Sequence, residues 1–232
     1  GKPLIPVHHL RSHIAANYLT SPELTPPFLC LVVSGGHTHL VEVQDYTDLR
    51  VLGQTRDDAA GEAFDKAARA MGLPYPGGIE LDRRAEEGNE NAFRLPHPRV
   101  DGAPLDFSFS GLKTAVINLL HNAKQRGEEV NLTDLMASYR KAVVDCLEEN
   151  TVKAMEQTGS QKLVIAGGVS ANRLLRRRLQ SVSDKRHWQF YCPEIRYCGD
   201  NAAMVGAQAY YEYQAGHTAG LDLNAKPELS IS

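Results

Sequence analysis

Three histidines stand close together near the start of the chain, at positions 8, 9 and 13. The run from Ile14 to Leu19 that follows them is typical of a helix, and residues four apart on a helix lie on one face. His9 and His13 therefore project together, whereas His8 points elsewhere. Two imidazoles on adjacent turns are either half of a metal site or part of a polar helix face. Metal chemistry requires a further ligand from elsewhere in the chain.

Two glycine pairs follow apolar runs that are typical of buried strands. Gly35-Gly36 lies between two such runs, where the pair either turns a hairpin through positive φ angles or exposes backbone amides to an anion. Gly167-Gly168 lies between a strand and a helix, where the pair allows either close packing or the approach of a nucleotide. Neither stretch matches a Gly-x-Gly-x-x-Gly or Walker A motif. Asn172, just after the second pair, adds a polar group to that turn.

Carboxylates supply the remaining candidates for chemistry. Asp57, Asp58, Glu62 and Asp65 fall on one predicted helix, and the first two are candidate helix caps. Asp65 lies in mid-helix, where a cap has no use for it, and this position favours a functional role. Asp200 opens another predicted helix, either as its N-cap or as the carboxylate that a two-histidine metal site lacks.

The elements that must position these groups alternate between the two classes of secondary structure. Apolar and β-branched runs predict strands, whereas periodic patterns with acidic starts and glycine ends predict helices. The predicted strands are 28–33, 38–43, 49–53, 162–166 and 190–192. The main predicted helices are 57–71, one that opens at Ser110, 132–158, 170–179 and 200–214. A β meander, helices and then a strand–helix–strand unit define an α/β fold.

Composition excludes several classes of function. The net charge of −3 gives no global attraction to nucleic acid, so an RNA partner needs local basic patches. No apolar run approaches the roughly 18 residues of a membrane span, and the first residues lack the apolar core of a signal peptide. The four cysteines, which are Cys30, Cys146, Cys192 and Cys198, are too scattered for a disulfide framework. We therefore expect reduced thiols and a cytoplasmic protein without a membrane partner.

Several uncommon motifs fall in one order along the chain. They are Pro6–His13, Val33–Thr38, Asp57–Lys66, Tyr75–Gly78, Asp106–Thr114, Ala166–Asn172 and Asp200–Met204. In this order and spacing the sequence resembles the bacterial TsaD family, the tRNA N6-adenosine threonylcarbamoyltransferases once called O-sialoglycoprotein endopeptidases. The resemblance implies an actin/hexokinase/Hsp70-like fold. It also implies transfer of a threonylcarbamoyl group from threonylcarbamoyl-adenylate to N6 of the adenosine 3′ to the anticodon, in tRNAs that read codons beginning with A.

The resemblance also assigns roles to individual residues. It implies a divalent metal, with Fe(2+) the family's usual ion and zinc possible, and it makes His9, His13 and Asp200 the ligands. Backbone around the first glycine pair lines the adenylate, and polar residues further along hold its nucleoside part. These substrate residues are Val32, Val33, Ser34, Gly35 and Gly36 for the adenylate, and Asp65, Gly78, Asp82 and Asn172 for the nucleoside. No protein general base can be named, so catalysis is expected to depend on positioning and electrostatics.

The chain departs from the family pattern in a few places. Arg11-Ser12 stands where Glu-Gly is usual, and we expect this cation beside the ligands to weaken or alter metal binding. Gly199 replaces a common threonine, and Val32 in place of a tyrosine fits the bacterial branch. The family carries about a hundred residues before this start. We therefore expect residues 1–27 to be a remnant of a first lobe, 28–198 a second lobe and 199–232 a return to the first, in a fragment that is inactive alone.

Other functions make different demands on the same residues. A zinc protease needs His-Glu-x-x-His, but Leu10 follows His9, so the general base is missing. A kinase or ATPase of the same fold needs a carboxylate from the first lobe. A non-catalytic partner subunit has no need of both glycine loops and the whole ligand set. By family analogy, the expected partners are tRNA, threonylcarbamoyl-adenylate and subunits similar to TsaB and TsaE.

Overall fold

A five-stranded mixed sheet forms the centre of the computed structural model, which describes residues 1–226 and 229–231. Its strands, given by their residue bounds, are β1 (Phe28–Val33), β2 (Thr38–Asp45), β3 (Asp48–Gln54), β4 (Lys162–Ala166) and β5 (Gln189–Tyr191). They lie in the order β3-β2-β1-β4-β5. Strands β1, β2 and β3 form an antiparallel meander, whereas β4 pairs parallel to β1 and to β5. The predicted α/β class is therefore confirmed.

Eight helices surround this sheet in the described part of the chain. They are α1 (His9–Thr20), α2 (Ala60–Ala70), α3 (Gly78–Ala85), α4 (Ser110–Arg126), α5 (Leu132–Thr158), α6 (Arg173–Arg186), α7 (Ile195–Cys198) and α8 (Ala202–Gln214). A short 3-10 turn, Gly168–Ala171, links β4 to α6. None of the described helices is long and apolar enough to cross a membrane.

Strand β1 separates two apolar cores because its side chains alternate between the faces of the sheet. Phe28, Cys30 and Val32 pack toward α1, together with its buried Ile14. The intervening residues of β1 pack in a larger core with helices α2 to α6. Burial on both faces explains why β1 is an unbroken apolar run in the sequence.

Most predicted elements have the expected bounds, and helix starts account for the main differences. The helix predicted from Asp57 begins at Ala60, and the helix predicted from Asp200 begins at Ala202. The helix predicted over 170–179 begins at Arg173 and continues to Arg186. In each case a polar residue that resembles a helix start makes a tertiary contact or a tight turn instead.

The three expected segments contain the following elements of the structure. Helix α1, from residues 1–27, and α8, from residues 199–232, pack against each other and against one face of the sheet that residues 28–198 form. The range 199–232 includes residues 227, 228 and 232, which lie outside the described part of the chain. The division into lobes stays a prediction.

Candidate metal and nucleotide site

Helix α1 places two histidines on one face. The helix begins at His9 because the backbone N–H of Leu10 donates to His8 Nδ1 (3.1 Å), so that His8 caps the helix. His9 and His13 then lie one turn apart, with their ring centroids separated by 4.8 Å in an edge-to-face arrangement. His9 is exposed, whereas His13 is buried. The expectation that His8 points elsewhere agrees with its role as the cap.

Asp200 faces this pair from the segment just before α8. Its Oδ1 lies 3.5 Å from His9 Nε2 and 3.2 Å from His13 Nε2. Asn201, and not Asp200, caps α8, because Asn201 Oδ1 accepts the N–H of Met204 (2.8 Å). The capping role considered for Asp200 is therefore wrong, and its carboxylate is left to face the histidines.

The donor set of these three side chains suits a divalent transition metal. One ligand atom from each of them lies within 4.8 Å of the other two. Burial lowers the pKa of His13, and the neighbouring His9 lowers it further against the opposing effect of Asp200. A neutral imidazole presents the lone pair that a metal needs, and two imidazoles with one carboxylate are typical ligands for iron or zinc. The residues present therefore fit the metal that the sequence predicts.

Arg11 lies on the same helix but does not join this cluster. Its guanidinium donates to the carbonyl oxygens of Thr47 (2.9 Å) and Ile231 (3.0 Å) and lies 3.5 Å from Glu212 Oε1. Arg11 thus ties the β2–β3 turn, the chain end and α8 to helix α1. The prediction that the Arg11 guanidinium lies beside the metal ligands is therefore wrong.

The first glycine pair lies in the tight connection between β1 and β2. Ser34 and His37 close the connection, with the Ser34 N–H donating to the His37 carbonyl (2.8 Å) and the His37 N–H donating to Ser34 Oγ (3.1 Å). Gly35 and Gly36 do not take positive φ angles, so that part of the prediction is wrong. A Cβ added at either glycine meets nothing within 4 Å. The space above this backbone is open to a ligand.

Two other glycines hold the loops together by close approach. A Cβ at Gly167, which has φ 91°, falls 2.3 Å from the Val33 carbonyl oxygen, and one at Gly61 falls 2.6 Å from the Ser34 carbonyl oxygen. Both contacts are shorter than real Cβ atoms allow. Gly168, in contrast, has nothing near its Cβ position. Close packing therefore explains Gly167, whereas Gly168 borders open space.

A cavity of about 560 Å³ lies beside these loops. Five of the predicted substrate residues line it, namely Gly35, Asp65, Gly78, Asp82 and Asn172. The other four do not: Val32 and Val33 are buried in β1, Ser34 is buried in the loop, and Gly36 is exposed next to Gly35. Sequence reasoning missed further lining residues, including Gly61, Ile79 and Arg173.

Hydrogen bonds fix the polar wall of the cavity. Asp65 Oδ1 accepts from the backbone N–H groups of Gly77 (2.9 Å) and Gly78 (2.8 Å), which ties α2 to the start of α3. Asp82 Oδ1 accepts from Asn172 Nδ2 (2.9 Å), and Asn172 Oδ1 caps α6 by accepting the N–H of Leu175 (2.9 Å). Three polar residues far apart in sequence thus form one wall.

The other carboxylates around α2 have different partners. Asp58 and Glu62 both pair with Lys66, at 2.7 and 2.8 Å. Asp57 accepts the N–H of Phe109 (2.7 Å) before α4. Neither Asp57 nor Asp58 caps α2. Asp65 is the one of the four that lines the cavity, as its mid-helix position suggested.

Three arginines of α6, at positions 176 to 178, have partners within the chain. Arg177 pairs with Glu86 (2.9 Å), and Arg178 pairs with Glu148 (2.6 Å). Arg176 donates to the carbonyl oxygens of Ser170 (2.6 Å) and Pro193 (2.7 Å). Arg173 is exposed at the cavity wall.

Solved structures define the class of fold. The chain is similar to full-length HypF in a phosphate- and nucleotide-bound form, with a TM-score of 0.67 and 14% identity over 90% of this chain and 36% of that one. It is also similar to component A of the (R)-2-hydroxyglutaryl-CoA dehydratase of Acidaminococcus fermentans, with a TM-score of 0.51 and 14% identity over 89% of this chain and 68% of that one. These likenesses support the predicted actin/hexokinase/Hsp70-like α/β fold.

Sequence relatives define the family. The sequence profile described as "TsaD: tRNA N6-adenosine threonylcarbamoyltransferase" matches residues 1–207. A relative of the same name from Clostridium botulinum (strain Kyoto / Type A2) is 50% identical over 231 residues, which is 100% of this chain and 68% of that protein. One from Clostridium perfringens (strain ATCC 13124) is 48% identical over 230 residues, or 99% of this chain and 68% of that protein. The chain belongs to the TsaD family, which confirms the predicted tRNA-modifying acyltransferase class.

Proposed function

We propose that this chain binds threonylcarbamoyl-adenylate in the 560 Å³ cavity and carries the metal-ligand set for threonylcarbamoyl transfer to tRNA. The observation that supports this most is that the cavity collects Gly35, Asp65, Gly78, Asp82 and Asn172 from four separate segments. In the same family the adenylate is the donor of the transferred group. A nucleotide-sized cavity with a few convergent polar groups is the usual form of such a site.

The reaction needs two things from the protein, which are positioning of the donor and stabilisation of charge. The N6 amine of adenosine attacks the carbamoyl carbonyl, the carbon–oxygen bond to the phosphate breaks, AMP leaves and N6 loses a proton. The exocyclic amine is a weak nucleophile, so the protein must hold the donor still and stabilise the charge that develops on its oxygens. Asp65 and Asp82 offer carboxylate oxygens to ribose hydroxyls, and the open backbone at Gly35 and Gly36 leaves room for the phosphate.

We propose that His9, His13 and Asp200 bind one divalent metal, with Fe(2+) preferred and zinc as the other candidate. When bound, such a metal polarises a carbonyl or holds a phosphate oxygen. Burial lowers the pKa of His13, which favours the neutral imidazole that a metal needs. A zinc protease needs a glutamate directly after its first histidine, and Leu10 occupies that position here. The ligand set therefore gives no support to proteolysis.

We also propose that the chain works in the cytoplasm with tRNA and with subunits similar to TsaB and TsaE. A tRNA substrate and four free cysteines support that compartment. No described contact of this chain identifies the two protein partners.

Two measurements test the proposal. Calorimetry with AMP measures the nucleotide site, and we expect Asp65→Asn to weaken AMP binding while leaving metal content unchanged. Metal analysis of the purified chain beside His9→Ala and Asp200→Ala tests the metal site, with His121→Ala, an exposed histidine of α4, as the control. Equal metal content in all of these proteins, or AMP binding that Asp65→Asn leaves unchanged, would contradict the proposal.

A further inference from the structure

We propose that Arg140 is a positioning residue for nucleotide binding, which orients Asp82 from behind the wall of the cavity. The inference rests on the proposed function, because it takes the cavity as the site of the adenylate. Arg140 lies in the middle of α5, and no described residue of that helix lines the cavity. Arg140 therefore has to act through another residue.

Arg140 is 3% exposed and spans the C-terminal half of α3. Its Nη1 donates to Asp82 Oδ1 (3.0 Å) and to the Asp82 carbonyl oxygen (3.0 Å), and its Nη2 donates to the Ala85 carbonyl oxygen (3.1 Å). Nη1 also donates to a carboxylate oxygen of Glu86. One guanidinium therefore holds both the backbone and the side chain of Asp82.

Asp82 also accepts hydrogen bonds from two residues of another segment of the cavity wall. The carboxylate oxygen that accepts from Arg140 also accepts from Asn172 Nδ2 (2.9 Å), and its second oxygen accepts the backbone N–H of Arg173 (3.2 Å). Asn172 and Arg173 line the cavity at the start of α6. The series Arg140–Asp82–Asn172 thus connects α5, α3 and α6 through side chains alone.

The charges of this network are balanced. Burying a guanidinium is unfavourable unless carboxylates and further hydrogen bonds compensate. Two carboxylates, Asp82 and Glu86, face two arginines, because Arg177 also pairs with Glu86 (2.9 Å). Arg177 and then Arg140 lower the pKa of Glu86 to about 2 against its desolvation, so that carboxylate stays ionised.

Apolar residues in place of the whole cluster would avoid this cost, so we infer that the network serves orientation more than stability. Both terminal nitrogens of the guanidinium are paired, whereas Nε has no hydrogen-bond partner in the described part of the chain, and the paired groups hold the side chains in one arrangement. Ribose hydroxyls bind a carboxylate only where its remaining lone pairs face them. Arg140 supplies a planar group with several donors, which a lysine ammonium cannot reproduce.

The test measures by calorimetry the affinities of two nucleotides for four proteins, which are the native chain, Arg140→Lys, Asp82→Asn and the double variant. AMP and 2′,3′-dideoxy-AMP differ only in the ribose hydroxyls, so their affinity ratio reports the carboxylates that bind those hydroxyls. We expect Arg140→Lys to weaken AMP binding by about tenfold and dideoxy-AMP binding by less than about twofold. Asp82→Asn should have the same signature, and the double variant should lose no more than the larger single loss. Arg140→Gln is the second variant if the lysine variant unfolds.

The matched control is Arg178→Gln. Arg178 also joins α6 to α5, through Asp145 (3.0 Å) and Glu148 (2.6 Å), but it does not line the cavity or contact Asp82. This variant should keep the native ratio between the two nucleotides. Equal losses for AMP and dideoxy-AMP in Arg140→Lys, unchanged AMP affinity, or additive effects with Asp82→Asn would overturn the positioning role. A native chain that binds neither nucleotide would instead overturn the proposed function, and this inference with it.

Discussion

Individual side chains in this protein often have partners that lie far away in the sequence. Arg11 contacts Thr47, Glu212 and Ile231, and Asp200 meets histidines nearly the whole chain away. The types and local spacing of residues identified the two histidines as a pair. They could not show where a long cation such as Arg11 points, because a flexible side chain selects its partners only in the folded protein.

Arg11→Ala separates the structural role of Arg11 from a role in metal binding. Removing the guanidinium leaves the carbonyl of Ile231 and the buried carboxylate of Glu212 without one of their partners. We expect the free energy of unfolding to fall by about 1–3 kcal/mol, as measured by urea unfolding. Metal content should stay at the native level. A loss of metal comparable to that of His9→Ala would show that Arg11 supports the ligands after all.

His39 on β2 gives a pH dependence at the same scale. Burial, and next the nearby His37, lower the pKa of His39 to about 4, against a hydrogen bond with Gln54 that raises it and with His8 as a further neighbouring imidazole. Between pH 6.5 and about pH 4, the His39 imidazole is protonated in the unfolded chain but stays neutral in the folded chain. Stability is therefore lost as the pH falls from about 6.5 to 4.

His39→Gln should reduce this acid destabilisation because glutamine does not titrate. The measurement is the free energy of unfolding at several pH values between 7 and 4, with His121→Gln on exposed α4 as the control. The control should follow the native curve, since His121 lies in a solvent-facing part of the helix. A native slope in His39→Gln would contradict this account of the buried imidazole.

At the scale of elements, sequence patterns found the strands and long helices because each has its own internal signal. The bounds of β1, α5 and β4 agree with prediction, since apolar runs and a Gly159 end mark them locally. Helix starts were less predictable. Asp57 and Asp58 resemble N-caps, but they bond to Phe109 and Lys66, contacts that no local pattern encodes.

The candidate site was predictable only in part, because some of its residues have local sequence signals and others do not. Glycine pairs and a mid-helix aspartate have local signals, whereas the contribution of Arg140 depends on how α5 crosses α3. The sequence placed Asp65 and Asn172 at the nucleotide through a family resemblance, and the structure adds that both have partners across the cavity wall. Nothing in the run of residues around Arg140 separates it from an ordinary helix cation.

The second glycine pair provides an internal comparison for close packing. Gly167→Ala forces a Cβ against the Val33 carbonyl oxygen, at a backbone with φ 91°, so we expect a large loss of stability and the separation of the β1 and β4 ends. Gly168→Ala meets nothing within 4 Å, so thermal unfolding should stay near the native temperature. Because Gly168 lines the cavity, its variant should still weaken AMP binding. Equal thermal stability of the two variants would contradict the close-approach argument.

At the scale of the whole molecule, the proposed metal site brings together residues from near the two ends of the described chain. His9 and His13 lie on the first helix and Asp200 lies just before the last one, and these helices pack together on one face of the sheet. A metal bound by all three residues binds the folded chain more tightly than the unfolded chain, in which the ligands are far apart. If the proposed metal binds there, we expect it to contribute directly to the stability of the fold.

Thermal unfolding with and without a chelator measures that contribution. At a metal concentration about a hundred times the Kd, binding adds about 2.7 kcal/mol, which raises the Tm of a chain of this size by roughly 5–10 °C. Asp200→Asn removes the ionised ligand but keeps the shape of the side chain, so it should lose most of this rise. Asp222→Asn, in the exposed tail, should retain the native rise. If chelation lowers the Tm of the native chain and of Asp200→Asn equally, the metal binds elsewhere.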